Sequence, residues 1–206
     1  MPAHAIATTS APADAFTRDH FTGQIVLITG AAGGMGLETS RAFAAHGAHV
    51  VLGDLDGDAA EHAAAAIRAG GGRASARTMD VGDPASITAS FAFIDSQFGR
   101  LDHVVTCAAI ITAKRIPAMD WAHWQRVLDI NLLGTFFVVQ EALARMVPAG
   151  HGSIVCVASD AGVRGGGGLI ADVAYAASKA GVLSLVKSVA REISGKGVRI
   201  NALNPG

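Results

Sequence analysis

From Gly23 onward, short apolar runs alternate with longer segments whose apolar residues recur at helical spacing. The short runs carry apolar residues at consecutive positions, which is typical of strands covered on both faces. Strands of this kind occur in parallel sheets with helices against both faces. Six strands are therefore predicted, with the third weaker than the others, at residues 24–29, 48–54, 73–80, 103–108, 153–159 and 198–203.

Helices are predicted between these strands, and some have recognisable ends. Asp83 followed by Pro84 is typical of a helix start, because aspartate caps the first N–H groups and proline fits the first helical position. Strands alternating with helices predict a single doubly wound α/β domain with a parallel sheet over residues 23–206, after a flexible tail at residues 1–22. The predicted helices are 36–46, 58–69, 84–99, 120–147 and 174–193.

Composition narrows the function classes. Half of the 206 residues are hydrophobic, 16% are charged and the formal net charge is -1, so no bulk attraction to nucleic acid or to an acidic membrane is expected. The first 22 residues show no secretory signal and no apolar run reaches the roughly 20 residues of a membrane span, which favours a cytoplasmic protein. Two cysteines cannot form a disulfide framework, and the eight histidines predict no metal site.

A glycine-rich turn, TGAAGGMG at residues 29–36, joins the first strand to the first helix. Glycine tolerates positive φ and lets the backbone approach a pyrophosphate, and the following helix directs its free N–H groups toward the phosphates. Asp54 ends the second strand, at about the spacing of a carboxylate that binds an adenosine ribose. A carboxylate there repels a 2′-phosphate, and Leu55 follows it, so NAD is predicted over NADP; a plain loop aspartate is the alternative.

The only tyrosine of the chain, Tyr175, precedes Lys179 by four residues in AYAASKAGV. Residues at this spacing share one helix face, and the lysine ammonium would favour the phenolate form of the tyrosine. The small residues between them leave that face open for a flat ligand. The pair therefore suits general acid/base chemistry on an alcohol or ketone, although an incidental Tyr/Lys pair is common in helices.

Taken in order, these motifs resemble the short-chain dehydrogenase/reductase family from Gly23 to Gly206, which implies a Rossmann fold. The family pattern TGxxxGxG is matched by Thr29, Gly30, Gly34 and Gly36, and the pattern YxxxK is matched by Tyr175 and Lys179. The active-site asparagine and serine of the family are matched by Asn131 and Ser159. The Asp-Val pair that lies beside adenine is matched by Asp80 and Val81, and the Pro-Gly pair by Pro205 and Gly206. The cofactor contacts expected from the glycine turn, Asp54 and this resemblance are Gly30, Gly33, Gly34, Met35, Gly36, Asp54, Leu55, Asp80, Val81, Cys107, Ala108, Tyr175, Lys179, Pro205 and Gly206.

The resemblance also implies a reaction, which is reversible hydride transfer between NAD and a small secondary alcohol or ketone. It implies that Ser159 binds the substrate oxygen, Tyr175 exchanges its proton, Lys179 favours the phenolate and holds the nicotinamide ribose, and Asn131 anchors a water that continues the proton relay. Family members associate through the two helices predicted at 120–147 and 174–193, so a homodimer or homotetramer is expected. Surplus apolar residues on both helices agree with such contacts.

Two features depart from the family pattern. Cys107 stands where the family has an asparagine, in TCAA at residues 106–109, and Pro205-Gly206 is followed by none of the lid and last strand that family members carry. The sequence is therefore expected to be either a fragment of a longer enzyme or a naturally shortened protein, and the alternative function is a truncated, non-catalytic NAD-binding or subunit-pairing protein. The GGGG stretch at 165–168 is predicted to be a mobile loop beside the substrate entrance or mere surface flexibility, and Trp121 and Trp124 are predicted to anchor the core.

Overall fold

Six parallel strands form the centre of the molecule. A computed structural model describes residues 19–166 and 171–206 of the chain, and its strands lie in the order β3-β2-β1-β4-β5-β6. This order confirms the predicted doubly wound α/β fold. The strands are β1 (Ile25–Thr29), β2 (His49–Asp54), β3 (Arg73–Thr78), β4 (His103–Thr106), β5 (Gly152–Val157) and β6 (Val198–Leu203).

The helices begin and end largely where their capping residues predict. Asp83 Oδ1 accepts the Ala85 N–H at 2.9 Å before the helix that starts at Pro84, and Gly99 ends that helix in the left-handed conformation. The helices are α1 (Gly34–Ala45), α2 (Gly57–Ala69), α3 (Pro84–Phe98), α4 (Trp121–Leu128), α5 (Gly134–Ala149), α6 (Ala161–Arg164) and α7 (Val173–Glu192). The four-residue helix α6 and a 3-10 turn at Ile116–Ala118 were not predicted from the sequence.

The sheet separates two hydrophobic cores. Helices α3, α5 and α7 cover one face, where Phe91, Met146 and Val182 pack against Leu27 of β1. Helices α1 and α2 cover the other face, where the alternate β1 residue Ile28 is buried. The strands were predicted to be apolar throughout, which is wrong for the edges: residues of β6 largely alternate between buried and exposed, and in β3 only Ala74 is buried, because an edge strand is covered less completely than a central one.

The predicted long helix at 120–147 is a continuous helical rod that is interrupted by one π-helical turn. Between α4 and α5 the backbone forms a π-helical turn at Asp129–Leu133, which widens the helix by one residue. The rod from Trp121 to Ala149 is also long and apolar enough to cross a membrane by length and composition, contrary to the expectation that no stretch would be. The rod lies between β4 and β5 in the sequence. Its buried residues pack against the sheet, as those of a core helix do.

Two sequence expectations concern side chains at the margins of the domain. Trp121 is 82% exposed, so the prediction that it anchors the core is wrong; as the first residue of α4 it projects beyond the packed face. Of the predicted tail, residues 1–18 lie outside the described residues, and Phe21 contacts the rings of Phe43 and His103. Residues 167 and 168 of the predicted glycine loop also lie outside the described residues.

Candidate active site

The carboxyl ends of β1, β2 and β4 surround a cavity of about 410 Å³. The cavity lies where the strand order reverses direction, because β1 is flanked by β2 on one side and β4 on the other. Ligands of doubly wound sheets bind at this switch point. The cavity is lined by Gly30, Gly33, Gly34, Met35, Gly36, Asp54, Leu55, Met79, Asp80, Val81, Cys107, Ala108, Ala109, Ile110 and Ile130.

The glycine turn is tightly folded at two of its positions. Gly30 has a φ of +64°, and a Cβ there would lie 2.7 Å from the Ala108 backbone nitrogen. A Cβ at Gly36 would overlap the Gly30 carbonyl oxygen. These two glycines therefore allow the turn to pack against itself and against the segment that follows β4.

The other two glycines of the turn face open space. A Cβ at Gly33 or Gly34 would meet no atom within 4 Å. Gly33 caps α1 without a side chain, so no side-chain oxygen satisfies the first N–H groups of the helix. An open cradle at a helix N-terminus, where the dipole favours negative charge, fits a pyrophosphate.

Asp54 lies at the edge of the cavity and holds the glycine turn in place. Its Oδ2 accepts a hydrogen bond from the Ala32 N–H at 2.9 Å, and its Oδ1 accepts one from the Asp56 N–H at 3.1 Å. Each carboxylate oxygen keeps a further lone pair for a ligand hydroxyl. Its neighbour Leu55 lines the same cavity and is 68% exposed.

Tyr175 and Lys179 lie on α7, and both are buried. Lys179 is 3% exposed and its Nζ donates a hydrogen bond to the Val157 carbonyl at the end of β5, at 2.8 Å. The same Nζ lies 5.8 Å from the centre of the Tyr175 ring. Burial lowers the pKa of Lys179 to about 8, although the nearby Cys107 and Cys156 act in the opposite direction. Lys179 is therefore a lysine that can lose its proton close to neutral pH.

Asn131 lies in the π-helical turn and is fully buried. Its Nδ2 donates to the Ile110 carbonyl at 2.9 Å and to Ser178 Oγ at 3.2 Å, and its Oδ1 accepts the Ile110 N–H at 2.8 Å. Ser178 Oγ in turn donates to the Tyr175 carbonyl at 2.7 Å. The amide thus connects the segment after β4 to the helix that carries Tyr175.

Ser159 follows β5, beside the last residues of the chain. Its Oγ accepts the Ala161 N–H at 3.2 Å. The Asp160 N–H donates to the Pro205 carbonyl at 2.7 Å, and the Cα of Gly206 faces Asp160 as well. Ser159, Pro205 and Gly206 are therefore neighbours at the end of the sheet but do not line the cavity beside the glycine turn.

The family is decided by comparison with known proteins. The family model for short chain dehydrogenases matches residues 24–206. This chain is a member of that family. It is 38% identical over 185 residues to D-threitol dehydrogenase of Mycolicibacterium smegmatis, covering 89% of this chain and 69% of that protein. It is 40% identical over 184 residues to galactitol 2-dehydrogenase of Agrobacterium fabrum, covering 89% and 70%.

Solved structures agree with the assignment to the short chain dehydrogenases. The crystal structure of an NAD+-bound xylitol dehydrogenase superposes with a TM-score of 0.85 at 30% identity. That match covers 90% of this chain and 71% of the other. The fold of this short chain dehydrogenase is therefore shared with that NAD+-bound enzyme.

Sequence reasoning about this short chain dehydrogenase missed part of the cavity wall. Met79, Ala109, Ile110 and Ile130 line it but carry no motif. Met79 and Ile130 are neighbours in sequence of Asp80 and Asn131, which were predicted, so adjacency was the only available signal. Within residues 19–166 and 171–206, no three His, Cys, Asp or Glu side chains are grouped as metal ligands.

Cys107 occupies the cavity wall where the family has asparagine. Its N–H donates to the Thr29 carbonyl at 3.1 Å, and the next N–H, of Ala108, donates to Thr29 Oγ1 at 3.2 Å. Backbone groups and a threonine therefore brace the ends of β1 and β4 in this short chain dehydrogenase. Burial raises the pKa of the Cys107 thiol to about 11, although the nearby Lys179 lowers it. The thiol stays protonated at neutral pH and is a poor nucleophile.

Proposed function

We propose that this chain is an NAD-dependent oxidoreductase that interconverts a small secondary alcohol and its ketone. The observation that carries the proposal is the buried Tyr175–Lys179 pair on one helix face, with the lysine fixed to the end of β5. Oxidoreductases are among its relatives: D-threitol dehydrogenase at 38% identity, galactitol 2-dehydrogenase at 40% and cis-4-hydroxycyclohexanecarboxylate dehydrogenase at 38%. The substrate proposed here is therefore a small compound that carries a secondary hydroxyl group.

NAD would bind along the cavity at the glycine turn. Gly33 and Gly34 offer room for the pyrophosphate at the start of α1, and the Asp54 carboxylate would accept the ribose hydroxyls. Asp80 and Val81 form the opposite wall, where the adenine is expected. The bound cofactor supplies the ring that accepts or returns hydride.

The protein then has to hold one substrate oxygen and move one proton. Ser159 Oγ is proposed to donate a hydrogen bond to that oxygen, and the Tyr175 phenolate takes the hydroxyl proton in oxidation or the phenol returns it in reduction. Lys179, one helical turn away, stabilises the phenolate by its charge. The hydrogen bond that Lys179 Nζ donates to the Val157 carbonyl holds the ammonium group in a fixed position.

A relay through Asn131 is constrained by its bonds. Both hydrogens of its amide are already donated, to Ile110 and Ser178, and its main-chain carbonyl accepts the Thr135 hydroxyl at 2.9 Å. An oxygen has two lone pairs, so Asn131 Oδ1, which accepts the Ile110 N–H, can accept one more hydrogen bond. The water proposed to continue the relay from Lys179 must therefore donate to an Asn131 oxygen.

The proposed reaction is tested with the Tyr175→Phe variant. Oxidation of NADH is followed with a panel of small ketones, and reduction of NAD+ with the matching secondary alcohols. We expect turnover by the unmodified protein and at least a thousandfold loss in Tyr175→Phe, with NADH affinity unchanged, because the phenol oxygen carries the proton. NADH binding without turnover of any pair by the unmodified protein would instead support the non-catalytic alternative.

The preference for NAD is tested at Asp54. In Asp54→Asn the charge that repels a 2′-phosphate is removed, while the side-chain amide oxygen can still accept the Ala32 N–H. We expect NADPH affinity to rise at least tenfold and NADH affinity to fall, both measured by fluorescence titration. Equal affinities for both cofactors in the unmodified protein would refute the assignment of the ribose to Asp54.

A further inference from the structure

The residue that begins the tyrosine helix is tied to two other parts of the fold. Asp172 is buried, with none of its side chain exposed. Its Oδ1 accepts the Tyr175 N–H at 2.9 Å. Its Oδ2 accepts the Lys114 N–H at 3.1 Å and a hydrogen bond from His123 Nε2 at 2.8 Å. One carboxylate thus joins α7, the segment after β4 and helix α4.

The backbone of Asp172 reinforces this junction. Its N–H donates to the Thr112 carbonyl at 2.7 Å, so the residue is bonded in both directions to the segment 112–114. Burial alone would raise the pKa of Asp172, but the hydrogen bonds from the Tyr175 N–H, the Thr112 side chain, His123 and the Lys114 N–H outweigh it, and the pKa lies below its ordinary value. The carboxylate is therefore charged and held by donors from three segments.

A capping role alone does not need His123. The first N–H groups of α7 require only an acceptor. Asp172 Oδ1 already meets that need, because it accepts the Tyr175 N–H. His123 is itself held: its backbone N–H donates to Asp120 Oδ1 at 2.7 Å, and its side chain is 10% exposed. The histidine therefore connects the capping carboxylate to a fixed point on α4.

The geometry points to Asp172 and His123 as a positioning pair that aims Tyr175 at the substrate and holds the 112–114 segment against the start of α7. This inference rests on the proposed function. Tyr175 follows the cap by three residues, so a rotation of the first turn of α7 moves its ring directly. Small displacements of a reacting group, about 1 Å, cost roughly a hundredfold in rate. The pair is expected to affect turnover far more than NAD affinity.

The test uses conservative substitutions at the two members of the pair. Asp172→Asn retains an oxygen for the Tyr175 N–H but turns an N–H group toward His123 and Lys114. His123→Leu removes the donor, and His123→Gln restores one of similar reach. Asp83→Asn is the matched control, because it changes the equivalent cap of α3.

Two readouts are taken on the full chain. With a turned-over ketone, kcat is expected to fall at least tenfold in Asp172→Asn and His123→Leu and to recover in His123→Gln, while the NADH Kd changes less than twofold. Because Tyr175 is the only tyrosine, labelling tyrosine with ¹³C at Cζ gives a single resonance that reports the surroundings of its ring. That resonance should shift in the two damaging variants and not in Asp83→Asn.

The outcomes separate the two proposals. An unchanged tyrosine resonance in Asp172→Asn and His123→Leu overturns the positioning role, whether or not turnover is detected. So does a parallel loss of kcat, NADH affinity and thermal stability, which would mean a purely structural cap. If the unmodified protein turns over nothing, the proposed function fails, but a shifted resonance in both variants still supports the pair.

Discussion

At the scale of single residues, the buried lysine gives the sharpest expectation. The pKa of Lys179 falls from its ordinary value of 10.5 to about 8, chiefly because burial disfavours its charge. The unfolded chain therefore binds that proton more tightly between these two pH values. Stability gained from Lys179 is present above about pH 10.5 and is lost as the pH falls through about 8.

We therefore predict that Lys179→Met gains stability over the unmodified protein at pH 7 and that the gain shrinks by about 2–3 kcal/mol by pH 10. Urea unfolding at the two pH values measures the difference. Lys187→Met is the control, because Lys187 lies on the same helix and is exposed. A pH-independent difference between Lys179→Met and the unmodified protein would contradict the lowered pKa.

At the scale of elements, two glycines of the turn at the start of α1 are expected to differ in their effects on stability and on NADH binding. Gly36→Ala places a methyl group against the Gly30 carbonyl, so we expect a loss of about 1–3 kcal/mol in stability together with lost NADH binding. Gly33→Ala meets nothing within 4 Å and should leave thermal unfolding unchanged. Its methyl group would stand in the open cradle and weaken NADH binding at least tenfold in a fluorescence titration. Unaltered NADH affinity in Gly33→Ala would mean that the cofactor does not use this cradle.

A second element, the π-helical turn, holds the segment after β4 through the side chain of Asn131. Asn131→Ala leaves both backbone polar groups of Ile110 without their Asn131 partner at a partly buried position. Unpaired buried groups cost about 1–3 kcal/mol each and partly solvated ones cost less, so we predict a destabilisation of about 1–3 kcal/mol in urea unfolding. Because Ile110 lines the cavity, NADH affinity should fall as well. A stability loss below 1 kcal/mol would show that the amide does not hold this segment.

At the scale of the whole molecule, we propose a homodimer or homotetramer through the α4–α5 rod and α7. Leu133 and Phe136 of this rod are 43% and 38% exposed, although their neighbours Asn131 and Val138 are buried. Sedimentation velocity is expected to give two or four times the 20.9 kDa of the chain, and Phe136→Asp should shift it toward the monomer. Ile116→Asp, an exposed apolar position outside these helices, should not. A monomeric unmodified chain would refute this association.

The sequence by itself determined the fold class and the chemistry that it suggests. Consecutive apolar residues in β1 and β2 indicated that both faces of these strands are buried. The residues of the glycine turn, like Tyr175 and Lys179, are separated by only a few positions along the chain. Local spacing fixes which residues share a turn or a helix face, so Asp83, Gly30 and Asp54 could be placed without coordinates.

Only the tertiary structure decided which distant segments meet. Ile110 and Ile130 reach the cavity because β4 lies next to β1, a pairing that no local spacing reveals. Asp172 meets Lys114 and His123 because β5 lies next to β4, so the segments that follow the two strands are neighbours. Trp121 is exposed although its periodicity suggested a core position. Periodicity reports that a residue lies on an apolar face, but what covers that face depends on the strand order and on how each helix crosses the sheet.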